Sequence, residues 1–215
     1  MELASFIDHT FLKPAGDADA VRKLCREAKK HGFASVCVNP AEVPLAAKLL
    51  KKSTVKVCTV IGFPLGQNTT DVKIFEGVDA IDNGATELDY VINQRLLKYD
   101  PEACQAELTA IVASCRECLQ EVTLKLIIEC CNLTDAEKRL ACRQAKKAGF
   151  DFVKTSTGFA ASGATVKDVK LMRRTVGPNM GVKAAGGIRD RATALAMVEA
   201  GATRIGASAG AALLP

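Results

Sequence analysis

The 215-residue sequence has no tryptophan. No apolar run approaches the roughly 20 residues that a membrane-spanning helix requires. The first residues, Met1-Glu2-Leu3-Ala4-Ser5, lack the basic stretch followed by an apolar stretch that marks a secretory signal. There is no interleaved aromatic and basic stripe and no basic tail. The net charge of +5 is modest and dispersed, which argues against nucleic acid and suits a small anionic substrate. No Pro/Ser-rich linker or low-complexity segment divides the chain, so residues 1–215 read as one domain. What remains is a globular composition, 48% hydrophobic and 25% charged, with no membrane partner expected.

Cysteine is plentiful. The count of nine is odd, and the residues are scattered through apolar runs (Cys37, Cys58, Cys130) and amphipathic ones (Cys25, Cys104, Cys142). That pattern reads as reduced thiols packed like small hydrophobes and points to a reducing, cytoplasmic compartment. Cys115 and Cys118 have CxxC spacing, but they lie in a helical pattern without a second pair. No metal site is expected there.

Short β-like runs alternate with amphipathic stretches along the whole chain. The runs are residues 5–8, 35–38, 55–60, 87–91, 124–128, 152–155, 180–184 and 204–207. Helix-like segments span 17–31, 41–51, 69–83, 101–120, 134–148, 165–176 and 190–200. Strict alternation predicts parallel strands joined by crossover helices. Internal echoes support a repeated unit. The string Ala28-Lys29-Lys30-His31-Gly32-Phe33 resembles Ala145-Lys146-Lys147-Ala148-Gly149-Phe150, and Asn83-Gly84-Ala85-Thr86 resembles Ala200-Gly201-Ala202-Thr203. Each reads as a helix ending on a left-handed glycine with a strand directly after it. Eight such strands close most simply into an α/β (β/α)8 barrel. An open doubly wound sheet is the alternative.

Two strings carry the chemistry: Phe152-Val153-Lys154-Thr155-Ser156-Thr157-Gly158 and Gly181-Val182-Lys183-Ala184-Ala185-Gly186-Gly187. Each sets one lysine in an apolar, strand-like run ending in glycine. Lysine is among the residues least often buried. A desolvated lysine beside a second cation loses affinity for its proton, and the neutral amine is a nucleophile. The plainer alternative is two lysines at strand ends with their heads in water. Asp89 interrupts the apolar run Leu88-Asp89-Tyr90-Val91. A carboxylate there is costly unless paired, and Lys183 or Lys154 would pair it; backbone donors would also satisfy it. Asp8 stands between a structural and a site role, and His9 reads as a structurally satisfied histidine. The turns Ala185-Gly186-Gly187-Ile188-Arg189 and Gly206-Ala207-Ser208-Ala209-Gly210 offer small residues and free N–H groups suited to phosphate. Thr157-Gly158-Phe159 adds a third side. In (β/α)8 barrels, active groups and phosphate sites lie at the C-terminal strand ends.

At these residues the chain resembles the deoxyribose-phosphate aldolase (DeoC-type class I aldolase) family. The matching strings are Ile7-Asp8-His9-Thr10, Cys37-Val38-Asn39-Pro40, Val60-Ile61-Gly62-Phe63-Pro64-Leu65-Gly66, Glu87-Leu88-Asp89, residues 152–159, residues 182–189 and residues 204–208. They run nearly end to end in the family's order. The resemblance implies a (β/α)8 barrel that reversibly cleaves 2-deoxy-D-ribose 5-phosphate to D-glyceraldehyde 3-phosphate and acetaldehyde, in deoxyribose phosphate catabolism. It implies Lys154 as the Schiff-base nucleophile, Lys183 as the second lysine that tunes it, and Asp89 in proton transfer with Lys183 and water. Gly158, Gly186, Gly187 and Ser208 would hold the phosphate. No metal or organic cofactor is implied, and a homo-oligomer, dimer or higher, is. Ala160 departs from the Ser or Gly of many members, and the last βα unit is expected to be short. A Schiff-base aldolase with another donor, and a non-catalytic phosphosugar-binding barrel, are the competing readings.

Overall fold

The computed structural model describes residues 3–215. Met1 and Glu2, read above as part of an N-terminus without a secretory signal, lie outside the described residues. Eight parallel strands close into a barrel in chain order: β1 (Ile7–Phe11), β2 (Ser35–Val38), β3 (Lys56–Ile61), β4 (Glu87–Val91), β5 (Thr123–Ile127), β6 (Phe152–Lys154), β7 (Gly181–Ala185) and β8 (Arg204–Ala207). Outside them lie α1 (Ala18–His31), α2 (Val43–Leu50), α3 (Thr70–Asp82), α4 (Gln94–Tyr99), α5 (Pro101–Arg116), α6 (Asp135–Ala148), α7 (Val166–Val176) and α8 (Arg191–Glu199). The expected (β/α)8 barrel is the fold. Among the described residues no helix is long and apolar enough to cross a membrane.

Helix starts follow from short polar side chains. Asp17, Asp100, Thr165 and Asp190 each accept a first-turn N–H of the helix they precede, and Thr134 with Glu137 forms a reciprocal capping box at α6. The echoed glycines act as anticipated. Gly32, Gly84, Gly149 and Gly201 all have positive φ, between 67° and 111°, and the next strand follows within a few residues.

The two-residue period of the strands separates two interiors. Outward-facing Ile7, Val36, Val38, Leu88, Leu124, Leu126, Val153, Val182 and Ile205 join one aliphatic core packed against the helices. The inward positions are different in kind. They include Asp8, Glu87, Asp89, Lys125, Lys154 and Lys183, all buried. Branched apolar side chains ordinarily fill such a barrel; here charge replaces much of that packing. Cross-strand register aligns these groups. Asp89 is level with Lys125, Lys154 with Lys183, and Lys183 with Arg204.

Most element boundaries fall within two residues of the sequence reading, and three differences are larger. Residues 3–6 form a 3₁₀ turn, and the first strand begins at Ile7 and runs on to Phe11. Leu3 and Ala4 are buried in the aliphatic core, so apolar character there reflects a packed turn. The 101–120 segment stops being helical at Arg116. The Arg116 guanidinium donates to the Val122 carbonyl (2.6 Å) and to Asp151 (2.8 Å), which ties down the link to β5. Helix α4 was not anticipated. Its six residues are too few to show a period, and Pro101 begins a separate helix directly behind it. After β8 the described residues form a 3₁₀ turn, Gly210–Leu213.

Candidate active site

Asp89, on β4, is the hub. Its Oδ2 accepts from Lys154 Nζ (2.8 Å) and Lys183 Nζ (2.7 Å), and its Oδ1 accepts from Lys125 Nζ (2.7 Å). The sequence offered Lys183 or Lys154 as its partner; the barrel supplies both, and a third lysine. The contacts continue. Lys125 pairs with Glu87 (2.7 Å), Glu87 with Arg204 (3.0 Å), Arg204 with Asp8 (2.6 Å), and Asp8 with Lys183 (2.5 Å). The result is a closed ring, Asp89–Lys125–Glu87–Arg204–Asp8–Lys183, alternating three carboxylates with three cations. Lys154 hangs from this ring on a single oxygen of Asp89. The ring is charge-balanced without Lys154.

Burial makes the balance consequential. Asp8, Asp89, Lys125 and Lys183 are all fully buried, and Lys154 is 3% exposed. Unpaired charges there would be very costly. Burial alone would raise the Asp89 carboxyl, but the ammoniums of Lys125, Lys154 and Lys183 hold it well below the usual carboxylate range. Asp8 is likewise depressed, by Lys183, Arg204 and Lys125 against its burial. Burial pulls the Lys183 ammonium down, yet Asp8 and Asp89 outweigh it and hold Lys183 above the ordinary lysine range. Lys125 is raised against its own burial by Asp89, Cys58 and Glu87. In the resting ring Lys125 and Lys183 therefore favour the ammonium form.

The sequence leaves Asp8 open between a structural and a site role. It is a ring member, and Ser35 also donates to it at 2.6 Å. His9 faces outward, bonded through Nε2 to Glu27 (2.7 Å) and in edge-on contact with Phe33; its buried Nδ1 has no hydrogen-bond partner among the described residues, so the histidine is structural but only half satisfied. Lys125, Glu87 and Arg204 were missed. Lys125 breaks the apolar run Leu124-Lys125-Leu126 just as Asp89 breaks its own, so the same argument would have found it.

Lys154 lines a cavity of about 370 Å³ at the C-terminal strand ends, together with Gly158, Gly186, Gly187 and Ser208. All four sequence-nominated cradle residues thus meet at Lys154, the one lysine bonded to Asp89 that lines the cavity. Asp89 and Lys183 do not line it. Two cations, Lys13 and Arg189, do, and Phe63 meets Phe159 edge to face nearby, with centroids 5.3 Å apart. Gly186 is required by geometry. Its φ is +86°, and Gly163 lies so close that a Cβ on Gly163 would fall 2.1 Å from the Gly186 carbonyl oxygen. Gly163→Ala must push this turn out of place. Overpacking of this kind costs about 1–3 kcal/mol. The expected outcome is a KM for phosphorylated substrate raised by about tenfold or more, with Lys154 still open to small aldehydes. Steady-state kinetics with and without the phosphate group check it. The turn at 186–189 leads into α8 as anticipated, whereas Ser208 precedes only the 3₁₀ turn.

Cys37, Cys58 and Asp89 also gather, with donor atoms within 4.8 Å of one another. Burial and the Cys37 hydrogen bond hold the Cys58 thiol protonated, and Asp89 is already shared among three lysines. The Cys58 hydrogen bond pulls the Cys37 thiol down against its burial, but the other two donors of the trio are already committed, Cys58 as a thiol and Asp89 to the lysines.

Residues 3–214 match the family described as DeoC/LacD family aldolase. The chain belongs to the DeoC/LacD family of aldolases. A deoxyribose-phosphate aldolase of Thermoanaerobacter pseudethanolicus is 55% identical over 98% of this chain and 94% of its own length. One from Clostridium perfringens is 58% identical over 97% of this chain and 92% of its own. Among solved structures, the deoxyribose phosphate aldolase from Aeropyrum pernix, described as a unique tetramer, superposes with a TM-score of 0.92 at 38% identity, covering 98% of this chain and 88% of that one. An aldolase designated QR15 superposes equally well at 40% identity, covering 98% and 93%. In this aldolase the ring lies inside the barrel, from the first residues of β4 and β8 to the middle of β4, β5 and β7, and Lys154, the last residue of β6, reaches from it to the cavity.

Proposed function

We propose that this aldolase reversibly cleaves 2-deoxy-D-ribose 5-phosphate to D-glyceraldehyde 3-phosphate and acetaldehyde through a Schiff base on Lys154. One observation supports the nucleophile above all: the ring Asp89–Lys125–Glu87–Arg204–Asp8–Lys183 is neutral as it stands. Lys125, Lys183 and Arg204 each have two carboxylates. Lys154 alone has one shared oxygen and alone faces the cavity. Its proton can leave without stranding a carboxylate, so the free amine belongs there.

The chemistry then follows. Lys154 Nζ attacks the aldehyde carbon of the open-chain sugar, and loss of water leaves an iminium. The protonated nitrogen draws the electrons of the C2–C3 bond, which breaks as the C3 hydroxyl gives up its proton. Glyceraldehyde 3-phosphate departs and an enamine of acetaldehyde remains. Protonation at its terminal carbon and hydrolysis free acetaldehyde and Lys154. Asp89 and Lys183 are the proton store, reached through water. The lysine nitrogen is the electron sink, so no metal or organic cofactor enters these steps. Gly158, Gly186, Gly187 and Ser208, with Lys13 and Arg189 on the same wall, suit the phosphate, which fixes the reacting bond against the amine. Residues 1–215 act as one catalytic domain in this proposal. Self-association is proposed on the likeness to the tetrameric relative, and a cytoplasmic setting on the nine free thiols.

The test is turnover of 2-deoxy-D-ribose 5-phosphate, with glyceraldehyde 3-phosphate measured directly, followed by borohydride reduction with acetaldehyde and peptide mapping. A two-carbon adduct on Lys154 is expected. Turnover of dihydroxyacetone but not acetaldehyde as donor would redirect the substrate assignment, and binding without turnover would make the barrel a phosphosugar-binding protein.

A further inference from the structure

Glu129 follows β5 closely and is unusual in three respects. Among the described residues it is the only non-glycine with positive φ (54°). Its side chain is buried, at 5% exposure. No lysine, arginine or histidine forms an ion pair with it among the described residues. A non-glycine residue held in this region persists only where its surroundings over-determine it, and such residues cluster at functional sites.

The surroundings are specific. Both carboxylate oxygens accept the Thr157 backbone N–H, at 3.3 and 3.2 Å. Oε2 also accepts the Thr157 hydroxyl in a short hydrogen bond. Thr157 Oγ1 in turn accepts the Phe159 N–H at 3.1 Å. From behind, Gln94 Nε2 donates to the carbonyls of Ile128 (2.8 Å) and Glu129 (3.2 Å), which fixes the strained backbone. The Glu129 side chain thus grips the turn that begins three residues after Lys154.

That turn is a partition. Thr157 and Phe159 line both the 370 Å³ cavity holding Lys154 and a second cavity of about 310 Å³ beside it. Glu129 itself lines only the second. With the donors of Thr157 occupied by Glu129, Gly158 is left to face the first cavity. We propose that Glu129 is a positioning residue that holds the 157–159 wall and so confers preference for a phosphorylated substrate. This rests on the phosphosugar reading above.

The experiment compares kcat/KM for 2-deoxy-D-ribose 5-phosphate with that for unphosphorylated 2-deoxyribose, in wild type, Glu129→Ala, Glu129→Gln and Thr157→Val. Glu129→Ala is expected to lower the ratio at least tenfold, mainly through KM of the phosphorylated sugar, while borohydride still traps acetaldehyde on Lys154. Glu129→Gln, whose carbonyl can accept one Thr157 donor, should recover part of the ratio. Thr157→Val cuts the hydroxyl link from the other side and should move it in the same direction, even if Glu129→Ala fails to fold. An unchanged ratio in folded Glu129→Gln and Thr157→Val overturns the proposal. So does equal loss of kcat on both sugars with loss of trapping, which is the pattern of general structural damage. A wild type that cleaves neither sugar defeats the functional reading itself, and this inference with it.

Discussion

Lys154→Ala is expected to abolish turnover, by roughly 10⁴-fold or more, the scale of loss when a covalent nucleophile is removed, and to leave the protein as stable as wild type to within about 1 kcal/mol. The second half of this expectation is the sharper. Replacing a buried lysine ordinarily leaves its partner carboxylate stranded, at a cost of several kcal/mol. Here Asp89 keeps Lys125 and Lys183 at 2.7 Å each, and the ring remains three against three. The space left by the side chain opens onto the cavity and fills with water. Urea denaturation and borohydride trapping together make the test. Trapping at another lysine would remove Lys154 from its role. A large stability loss would show that the ring depends on Lys154 for its balance.

Asp89→Leu should have the opposite signature in stability. It leaves Lys125, Lys154, Lys183 and Arg204 facing only Glu87 and Asp8, in a buried site. Breaking a buried pair from one side costs about 3–5 kcal/mol, and activity falls with it because the amine and its proton store lose their link. The pH dependence carries a sign. In wild type the Asp89 carboxyl is lower when folded than when unfolded. Its contribution is complete above the unfolded value of about 3.9 and is lost as pH falls below that. Lys183 is higher when folded, so its contribution is complete below about 10.4 and is lost as pH rises through the folded value. In Asp89→Leu the stranded lysines favour the neutral form, and stability rises with pH instead. The gap between variant and wild type should therefore be widest near neutrality and narrow in alkali. Denaturation midpoints at pH 7 and pH 10 decide it. A gap that is the same at both would show that lost packing, rather than unopposed charge, is the cause.

Much of the site was legible because burial and charge are hard to reconcile. Lys154, Lys183 and Asp89 each break an apolar strand, and each proved to be at the hub or attached to it. Gly158, Gly186 and Gly187 were legible because tight turns with φ near +80° admit little else. Ser208 lies with them in the cavity wall. Helix α4 escaped because six residues cannot display a 3.6-residue period. Glu129 escaped because its unusual feature is a backbone angle, which no residue type announces.

Local chemistry therefore determined most of the elements and their order, and favoured the barrel over an open sheet: alternating patterns, capping side chains and glycine stops act within a few residues and need no distant partner. It also determined that several strands carry a charge where a core should be. Which charges meet was decided by closure alone. Asp8 and Arg204 are 196 residues apart and become neighbours only when β8 pairs with β1. The ring that leaves Lys154 as the odd cation exists only once that last pairing is made, because a charge has no fixed partner until the strands are in register around a common axis.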